Sequence, residues 1–143
     1  MNARHILGAV DETFIWALFD RQPMERWSRG RVTLLGDACH AMLPFMAQGA
    51  AQAIEDGATL AMCLAKTAAR DAPEALRRYE RLRLPRASRL QAMSEANKTR
   101  FHLPDGVAQQ RRDAEMARGN TDWSMNAVAW LYGHDAGKIQ GEA

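Results

Sequence analysis

The pattern of hydrophobic and polar positions in the first half of the chain predicts two strands and a helix. Residues Thr13–Asp20 (TFIWALFD) are aromatic and β-branched, as in a buried strand. Arg21–Gly30 contains Pro23 and predicts a connection. Arg31–Gly36 (RVTLLG) is a continuous apolar run, which suits a strand covered on both faces in a parallel sheet. An alanine-rich helical pattern then runs from Gly49 to Lys66.

The second half of the chain predicts helices. Asp71 is a candidate N-cap, and it precedes a stripe of apolar side chains at helical spacing between Leu76 and Met93. Pro85 interrupts this stripe. Because proline removes a backbone donor and clashes with the preceding turn, we expect a kink near Leu84.

Leu103–Gly106 predicts a turn between this helix and two shorter ones, at about Val107–Arg118 and Trp123–Tyr132. The fold class is therefore an α+β fragment, mostly α-helical with two or more short strands. Because two short strands do not make an independently stable sheet, we expect the chain to be a piece of a larger fold.

Composition excludes several classes of protein. With 143 residues, 47% of them hydrophobic and 25% charged, the chain is globular rather than disordered. The net charge of +2 is spread along the chain, so no nucleic-acid partner is expected. Without an apolar span or a secretion signal, we expect no membrane partner and a cytoplasmic protein. Cys39 and Cys63 are expected to be reduced thiols, and with no second Cys/His cluster no metal site is expected.

One continuous run, Arg31–Leu60, carries the candidate chemistry. Gly36 and Asp37 follow the predicted strand, where ligands bind in open parallel sheets, and Asp37 can accept hydrogen bonds from a hydroxylated ligand. The helix beginning near Gly49 offers unpaired N–H groups and the positive end of its dipole. Gly57 inside that helix indicates tight packing against a neighbour. Four small residues would let a flat ligand approach: Ala47, Gly49, Ala50 and Ala51.

Each piece alone has a simpler interpretation, as an ordinary turn or a packed helix. The combination is more specific, and its members are Gly36-Asp37, His40, Pro44, Gln48-Gly49 and Glu55-Asp56. This run resembles the second flavin motif of the group A flavoprotein monooxygenases, GDAxHxxxPxxxQGxxxxxED in outline. It looks most like salicylate hydroxylases, with 3-hydroxybenzoate and 6-hydroxynicotinate hydroxylases nearby. The likeness covers nearly the whole chain, from WALFDR at Trp16–Arg21 to WLYG at Trp130–Gly133.

The resemblance implies the C-terminal portion of the α/β FAD-binding fold of p-hydroxybenzoate hydroxylase-like enzymes, with FAD as cofactor and NAD(P)H as reductant. Residues 1–30 would be a remnant of the substrate-domain sheet and its connection. Residues 31–70 would be the flavin-facing strand, loop and helix, and residues 71–143 the C-terminal helical region.

The same resemblance implies roles for individual residues. Asp37 would bind a ribityl hydroxyl of FAD, Pro44 would lie near the reactive edge of the flavin, and the amides of Ala50 and Ala51 would meet its pyrimidine end. The implied cofactor-binding residues are Gly36, Asp37, Pro44, Ala47, Gln48, Gly49, Ala50 and Ala51. Trp16 and Pro44 are the expected substrate-binding residues, and no catalytic residue is assigned within the chain.

Several residues keep two interpretations. His40 is either a polar group close to the cofactor or a hydrogen-bonded or partly exposed histidine, and no acid partner for it is visible. Trp16 either lines an aromatic substrate pocket or belongs to a plain core. Glu55 and Asp56 are expected to be acids favoured by the helix dipole, without a catalytic role.

Two functions follow as hypotheses. The first is FAD-dependent, NAD(P)H-consuming hydroxylation of an aromatic acid such as salicylate, with dioxygen, by an intact enzyme. The N-terminal GxGxxG and the middle DG motif of the family are absent, so we expect a missing N-terminal portion and a chain that alone binds FAD weakly or not at all. The alternative is a non-catalytic helical fragment that acts only as an association surface, for instance in a homo-oligomer.

Overall fold

The computed structural model describes residues 3–118 and 125–138, and within them the fold is mostly helical. In chain order, the helices are α1 (Ala3–Leu7), α2 (Asp37–His40), α3 (Gly49–Leu64), α4 (Ala72–Phe101), α5 (Val107–Ala117) and α6 (Met125–Tyr132). The strands are β1 (Ser28–Arg29) and β2 (Val32–Thr33). The predicted α+β class with short strands is confirmed.

The two strands form an antiparallel hairpin, not part of a parallel sheet. Ser28 pairs with Thr33 and Arg29 with Val32 across a turn at Gly30. The strand predicted over Arg31–Gly36 is present only at Val32–Thr33, and its expected cover on both faces is wrong within the described residues, since Val32 is 66% exposed. A strand is defined by its hydrogen-bonded neighbours, and local hydrophobicity does not reveal which neighbours exist.

The predicted strand at Thr13–Asp20 is also wrong. This segment has no regular secondary structure in the described part of the chain, and its side chains are exposed. Its large apolar members Phe14, Ile15, Trp16, Leu18 and Phe19 are among the most exposed hydrophobic side chains. Aromatic and β-branched residues favour a strand only where another strand or a packed face receives them.

Helices α3 and α4 pack against each other and carry the core. Helix α3 ends two residues before the predicted boundary at Lys66, and α4 begins directly after Asp71. Asp71 holds the N-cap position as predicted, but its side chain makes no capping hydrogen bond. Helix α4 continues without a break through Pro85, because buried side chains on both sides of the proline hold it against the core. The change of axis direction at Leu84 stays a prediction.

Two apolar clusters fill the space between the hairpin, α3, α4 and α6. The first joins Trp27 of the hairpin to buried side chains of α2, α3 and α4. The second contains Met46, Leu90 of α4 and Leu131 of α6. The carboxylate of Glu80 ties the hairpin to α4, since its Oε2 accepts the amides of Trp27 and Ser28 at 2.7 and 2.5 Å.

The remaining elements agree in part with the sequence. The turn at Leu103–Gly106 and the helix after it are confirmed. Helix α6 begins at Met125, and the predicted start at Trp123 lies outside the described residues. Helix α1 was not predicted. Among the helices of the described residues, none combines the length and the apolar character needed to cross a membrane.

Candidate functional site

The turn after the hairpin has a conformation that requires glycine. Gly36 has φ 63° and ψ −141°, and a Cβ built on it would lie 3.3 Å from the Cβ of Ala53 on α3. Its carbonyl accepts the amides of Cys39 and His40, each at 3.0 Å, which closes the short helix α2. Asp37, the first residue of α2, is exposed and has no hydrogen-bond partner among the described residues. The carboxylate is therefore available to a ligand.

The loop between α2 and α3 contains a strained residue. Pro44–Met46 forms a single 3₁₀ turn, in which the Pro44 carbonyl accepts the Ala47 amide at 3.0 Å. Ala47 has φ 51° and ψ 34°, the left-handed conformation that costs a non-glycine residue about 1–2 kcal/mol. Pro44 and Ala47 point to solvent, whereas Leu43 and Met46 are buried. Such strain persists where the surroundings hold it and is common at ligand sites.

The N-terminus of α3 presents free backbone donors. Its first intrahelical bond runs from the Gln52 amide to the Gln48 carbonyl, at 2.9 Å. The amides of Gly49, Ala50 and Ala51 precede that bond, and none has an acceptor in residues 3–118 or 125–138. A Cβ at Gly49 would meet nothing within 4 Å, so the approach is open.

The structure brings these two parts of the site together through Ala53. Gly36 packs on the face of α3 that carries Ala53. Residues three apart share a helix face, so Ala50 lies on that side, one turn nearer the N-terminus. The turn that carries Asp37 thus packs on the side of α3 that also carries Ala50, and a shared site for the Asp37 carboxylate and the free amides stays a prediction. Gln48 is buried, and its amide oxygen faces the Gln52 side chain at 3.5 Å rather than the open approach.

A buried ionic network that was not predicted from the sequence lies under this turn. Asp56 Oδ2 accepts the Gly36 amide at 3.0 Å and His40 Nε2 at 2.6 Å, while Oδ1 accepts Arg83 Nε at 2.7 Å. Asp56 and His40 are fully buried. Because a carboxylate can only accept, Nε2 of His40 carries the proton; its Nδ1 is buried without a partner among the described residues. His40 thus has the acid partner that the sequence did not reveal.

Glu55 extends the network to the C-terminal helix. Its carboxylate receives Arg83 Nη1 at 2.5 Å and both Nε and Nη2 of Arg86, at 2.8 and 2.9 Å. Arg86 also donates to the carbonyls of Trp130 and Leu131 in the last turn of α6, each at 2.9 Å. The expectation that Glu55 and Asp56 serve the helix dipole is wrong, because they are seven and eight residues into α3 and are neutralised by arginines of α4.

The electrostatics of the network favour ionised acids. Burial raises the pKa of Asp56, but hydrogen bonds from His40, Arg83 and the Gly36 amide outweigh it, and the pKa lies below its ordinary value. Burial also raises the pKa of Glu55, and the arginines Arg86 and Arg83 again bring it below its ordinary value. Both acids are therefore charged and paired at neutral pH.

Cys39, His40 and Asp56 also form a geometric candidate for a metal ion, since one ligand atom from each lies within 4.8 Å of the others. The chemistry does not suit a metal. Burial, with the Asp56 charge, raises the pKa of Cys39 to about 12, whereas a metal needs the thiolate. Both Asp56 oxygens already accept hydrogen bonds, one of them from the Arg83 cation. Cys39 and Cys63 are free, buried thiols.

Trp16, the other expected substrate-binding residue, is not brought to this site by the described residues. Its side chain is 81% exposed. The segment that carries it is attached by Arg21, whose Nη1 donates to the Ala38 carbonyl at 2.8 Å. Gly57 is likewise exposed, and a Cβ there would meet nothing within 4 Å, so the tight packing expected of it is absent in the described part of the chain.

The sequence contained a signal for the ionic network. Glu55-Asp56 on one helix and Arg83 with Arg86, which share a face of the next, are groups of opposite charge. Such groups occur both in pairs between packed helices and on solvated surfaces, so the signal did not specify burial. Nothing in the sequence indicated that the Gly36 amide would share the same carboxylate.

Known proteins that are similar to this chain are named as monooxygenases of aromatic acids. The chain is 46% identical over 138 residues to the 3-amino-4-hydroxybenzoate 2-monooxygenase PtnB3 of Streptomyces platensis, which covers 96% of this chain and 34% of that protein. It is 51% identical over 92 residues to the 6-hydroxynicotinate 3-monooxygenase of Pseudomonas fluorescens, covering 64% of this chain and 24% of the relative. The chain thus spans about one third of the length of the first relative and about one quarter of the length of the second.

A solved structure supports the fold. A salicylate hydroxylase in complex with its substrate superposes with a TM-score of 0.68 at 34% identity, over 85% of this chain and 29% of that one. A family model described as an FAD binding domain matches residues 2–94, nearly two thirds of the chain. The chain belongs to the FAD-binding domain family of the flavoprotein aromatic monooxygenases, as the motif around Gly36-Asp37 predicts.

Proposed function

We propose that this chain forms the isoalloxazine-facing side of the FAD site in an NAD(P)H- and dioxygen-dependent hydroxylase of aromatic acids. The observation that carries the proposal is the set of amides at Gly49–Ala51, which have no acceptor among the described residues. The exposed carboxylate of Asp37 supports it, because Asp37 follows Gly36, which packs on Ala53 of the same helix. A helix N-terminus is a site for negative charge, and the resemblance assigns the electron-rich edge of the flavin to it.

The residues present fit the cofactor. The ribityl chain of FAD carries hydroxyl groups, and the unpartnered Asp37 carboxylate accepts from such groups. The open space over Gly49 leaves room for a flat ring to approach the backbone. When bound, FAD supplies the redox chemistry that activates dioxygen for transfer to the substrate.

The residues of this chain would bind and orient rather than exchange protons. Asp37 would hold the ribityl chain. The amides of Ala50 and Ala51 would stabilise negative charge on the ring, an effect of about 0.3–2 kcal/mol depending on burial. Pro44, held outward by its turn, would border the reacting face and exclude water there.

The substrate class is inferred from the relatives. Their names give hydroxylated aromatic carboxylic acids, an aminohydroxybenzoate in one case and a hydroxynicotinate in another. We infer a phenolic or related aromatic acid for this protein, with salicylate as the first compound to test. Trp16 would contribute an aromatic surface to that pocket if other parts of an intact enzyme cover it.

The test is a chimaera in which this chain replaces the matching third of PtnB3. We expect the chimaera to purify with bound FAD, visible as a flavin absorption spectrum, and to oxidise NAD(P)H faster when an aromatic acid is added. The parent enzyme is the positive control. A chimaera that unfolds cooperatively, and so is folded, yet binds no FAD would refute the proposal.

A second function is supported by the exposed apolar side chains of residues 13–20. As an alternative we propose self-association through this segment, because contiguous apolar surface of this kind marks interaction sites or aggregation. Size-exclusion chromatography of the chain tests for self-association, because it reports the oligomeric state. Oligomers that dissociate when Trp16 and Phe19 are replaced by serine would support association, and a clean monomer would exclude it.

A further inference from the structure

Three buried polar side chains of α4 hold the loop between α2 and α3 by its backbone. Gln91 Nε2 donates to the Ala41 carbonyl at 3.3 Å and to that of Arg21 at 3.0 Å. Ser94 Oγ donates to the Leu43 carbonyl at 2.6 Å. Asn97 Nδ2 donates to the Phe45 carbonyl at 3.2 Å and contacts Met46 Sδ at 3.1 Å. We call Gln91, Ser94 and Asn97 the carbonyl clamp.

The spacing of the clamp matches the loop. Its three members are three residues apart, so each lies about 4.5 Å further along the helix axis than the last. The accepting carbonyls belong to residues 41, 43 and 45; Leu43 has extended backbone, and Phe45 lies in the 3₁₀ turn that follows it. All three carbonyls are turned towards α4, so one helix binds them all.

The direction of these bonds is unusual for the residue types. A serine inside a helix commonly donates to the carbonyl four residues earlier in its own helix. Ser94 is 1% exposed and donates instead to a loop fifty-one residues away. All three clamp members are buried and are directed at a single short segment. A core that needed only apolar packing would not require three aligned donors.

The clamp also decides which side of the loop is free. With carbonyls 41, 43 and 45 turned towards α4, Leu43 and Met46 are buried and Pro44 and Ala47 face outward. The clamped turn also contains Ala47 in its strained left-handed conformation. Ala47 is followed by Gln48 and then by the free amides of α3, so its geometry sets their direction.

We propose that Gln91, Ser94 and Asn97 are positioning residues, which fix the Pro44–Ala47 turn and the start of α3 in the orientation that a flavin ring requires. This inference rests on the proposed function and adds to it three residues of α4 that do not touch the cofactor. They act through the loop backbone, by removing the alternative conformations of residues 41–47.

The test compares two clamp variants with a control, in the 143-residue chain. Ser94→Ala removes the hydroxyl donor, and Asn97→Asp keeps the side-chain shape but removes the N–H donors. Thr67→Val is the matched control, because Thr67 Oγ1 donates to the Cys63 carbonyl at 2.9 Å near the end of α3, away from the loop. Two clamp variants are used so that the result does not depend on either one alone.

The first measurement is the order of the loop, by amide hydrogen exchange and ¹⁵N relaxation. We expect the Ala47 amide, which donates to Pro44, to lose about tenfold or more of its protection in both clamp variants, while α4 amides keep theirs. Thr67→Val should leave the loop unchanged. Clamp variants with the same loop order as the unmodified chain would overturn the positioning role.

The second measurement is titration with flavin mononucleotide, which carries the isoalloxazine and ribityl groups and dissolves well enough to detect weak binding. We expect the NMR signals of the Gly49–Ala51 amides to shift as flavin mononucleotide binds. The affinity for flavin mononucleotide should be about tenfold lower in the clamp variants and unchanged in Thr67→Val. Equal shifts in all variants would overturn the positioning role alone. If the unmodified 143-residue chain binds too weakly to give such shifts, as expected of this chain alone, the same variants are titrated with FAD in the chimaera. Equal affinities there would overturn the positioning role, whereas a folded, unmodified chimaera that binds no FAD would count against the proposed function.

Discussion

Asp56 and Arg83 meet across the interface of α3 and α4, with Arg83 Nε 2.7 Å from Asp56 Oδ1 and both side chains withdrawn from solvent. The other oxygen of Asp56 holds the Gly36 amide. One carboxylate therefore connects the turn before Asp37 to the two longest helices of the described residues. Stability and the shape of the candidate flavin site depend on the same pair.

Replacing Asp56 by asparagine should destabilise the chain by about 3 kcal/mol, because it removes one of the two carboxylates that pair with the buried Arg83 cation, and the one that His40 also binds. Urea unfolding followed by circular dichroism measures the change. Glu74→Gln is the matched control, since Glu74 pairs with Arg77 and Arg81 on the exposed surface of α4. Water screens these exposed ion pairs, so the free energy of unfolding of the control should be almost that of the unmodified chain. Equal losses in the two variants would contradict a structural role for the buried network.

Stability should fall as the pH is lowered. The folded chain holds the pKa of Glu55 and of Asp56 below their ordinary values of 4.5 and 3.8, despite the opposing effect of burial. In that range the unfolded state binds more protons, so the free energy of unfolding rises with pH. This contribution is complete above the unfolded pKa values and is lost as pH falls through the folded ones.

Urea unfolding from neutral pH to about pH 3 tests this dependence. The acid-induced loss should be smaller in Asp56→Asn, which has no carboxylate to protonate at that position. If the variant and the unmodified chain lost the same free energy over the range, the network would not be the source of the pH dependence.

Two glycine-to-alanine changes should have opposite effects on the free energy of unfolding. Gly36→Ala forces a side chain into a conformation with φ 63° and against Ala53, and we expect a loss of about 1–3 kcal/mol. Gly57→Ala adds a methyl group where nothing lies within 4 Å, inside α3, and should stabilise the chain by up to about 1 kcal/mol. Thermal unfolding measures both. A stabilised Gly36→Ala variant would mean that the turn before Asp37 does not have the geometry described.

Asp37→Ala should weaken FAD binding to the chimaera by about 1–3 kcal/mol, the usual cost of a polar partner left without its bond. Fluorescence titration of the apoprotein with FAD gives the affinity. Asp105→Ala, an exposed acid in the turn before α5, is the control and should bind FAD normally. Unchanged affinity in Asp37→Ala would remove this carboxylate from the cofactor site.

The helices and the flavin motif could be predicted from the sequence because their determinants are local. The alanine-rich run from Gly49, the stripe beyond Leu76 and the turn at Leu103–Gly106 each depend on residues within a few positions of one another. Gly36-Asp37 and Gln48-Gly49 have a fixed spacing within one run, which was enough to indicate the family. These parts of the prediction are confirmed.

Tertiary structure decided everything that depends on distant partners. Residues 13–20 and 31–36 were predicted as strands from their side chains, but a strand needs a neighbour. Among the described residues of these two segments, only Val32–Thr33 has one, in Ser28–Arg29. Asp56 lies twenty-seven residues from Arg83, and Ser94 lies fifty-one from Leu43. No local pattern distinguishes such a buried pair from surface charges. Only the packing of α3 on α4 determines which polar groups lose water and must therefore bind each other.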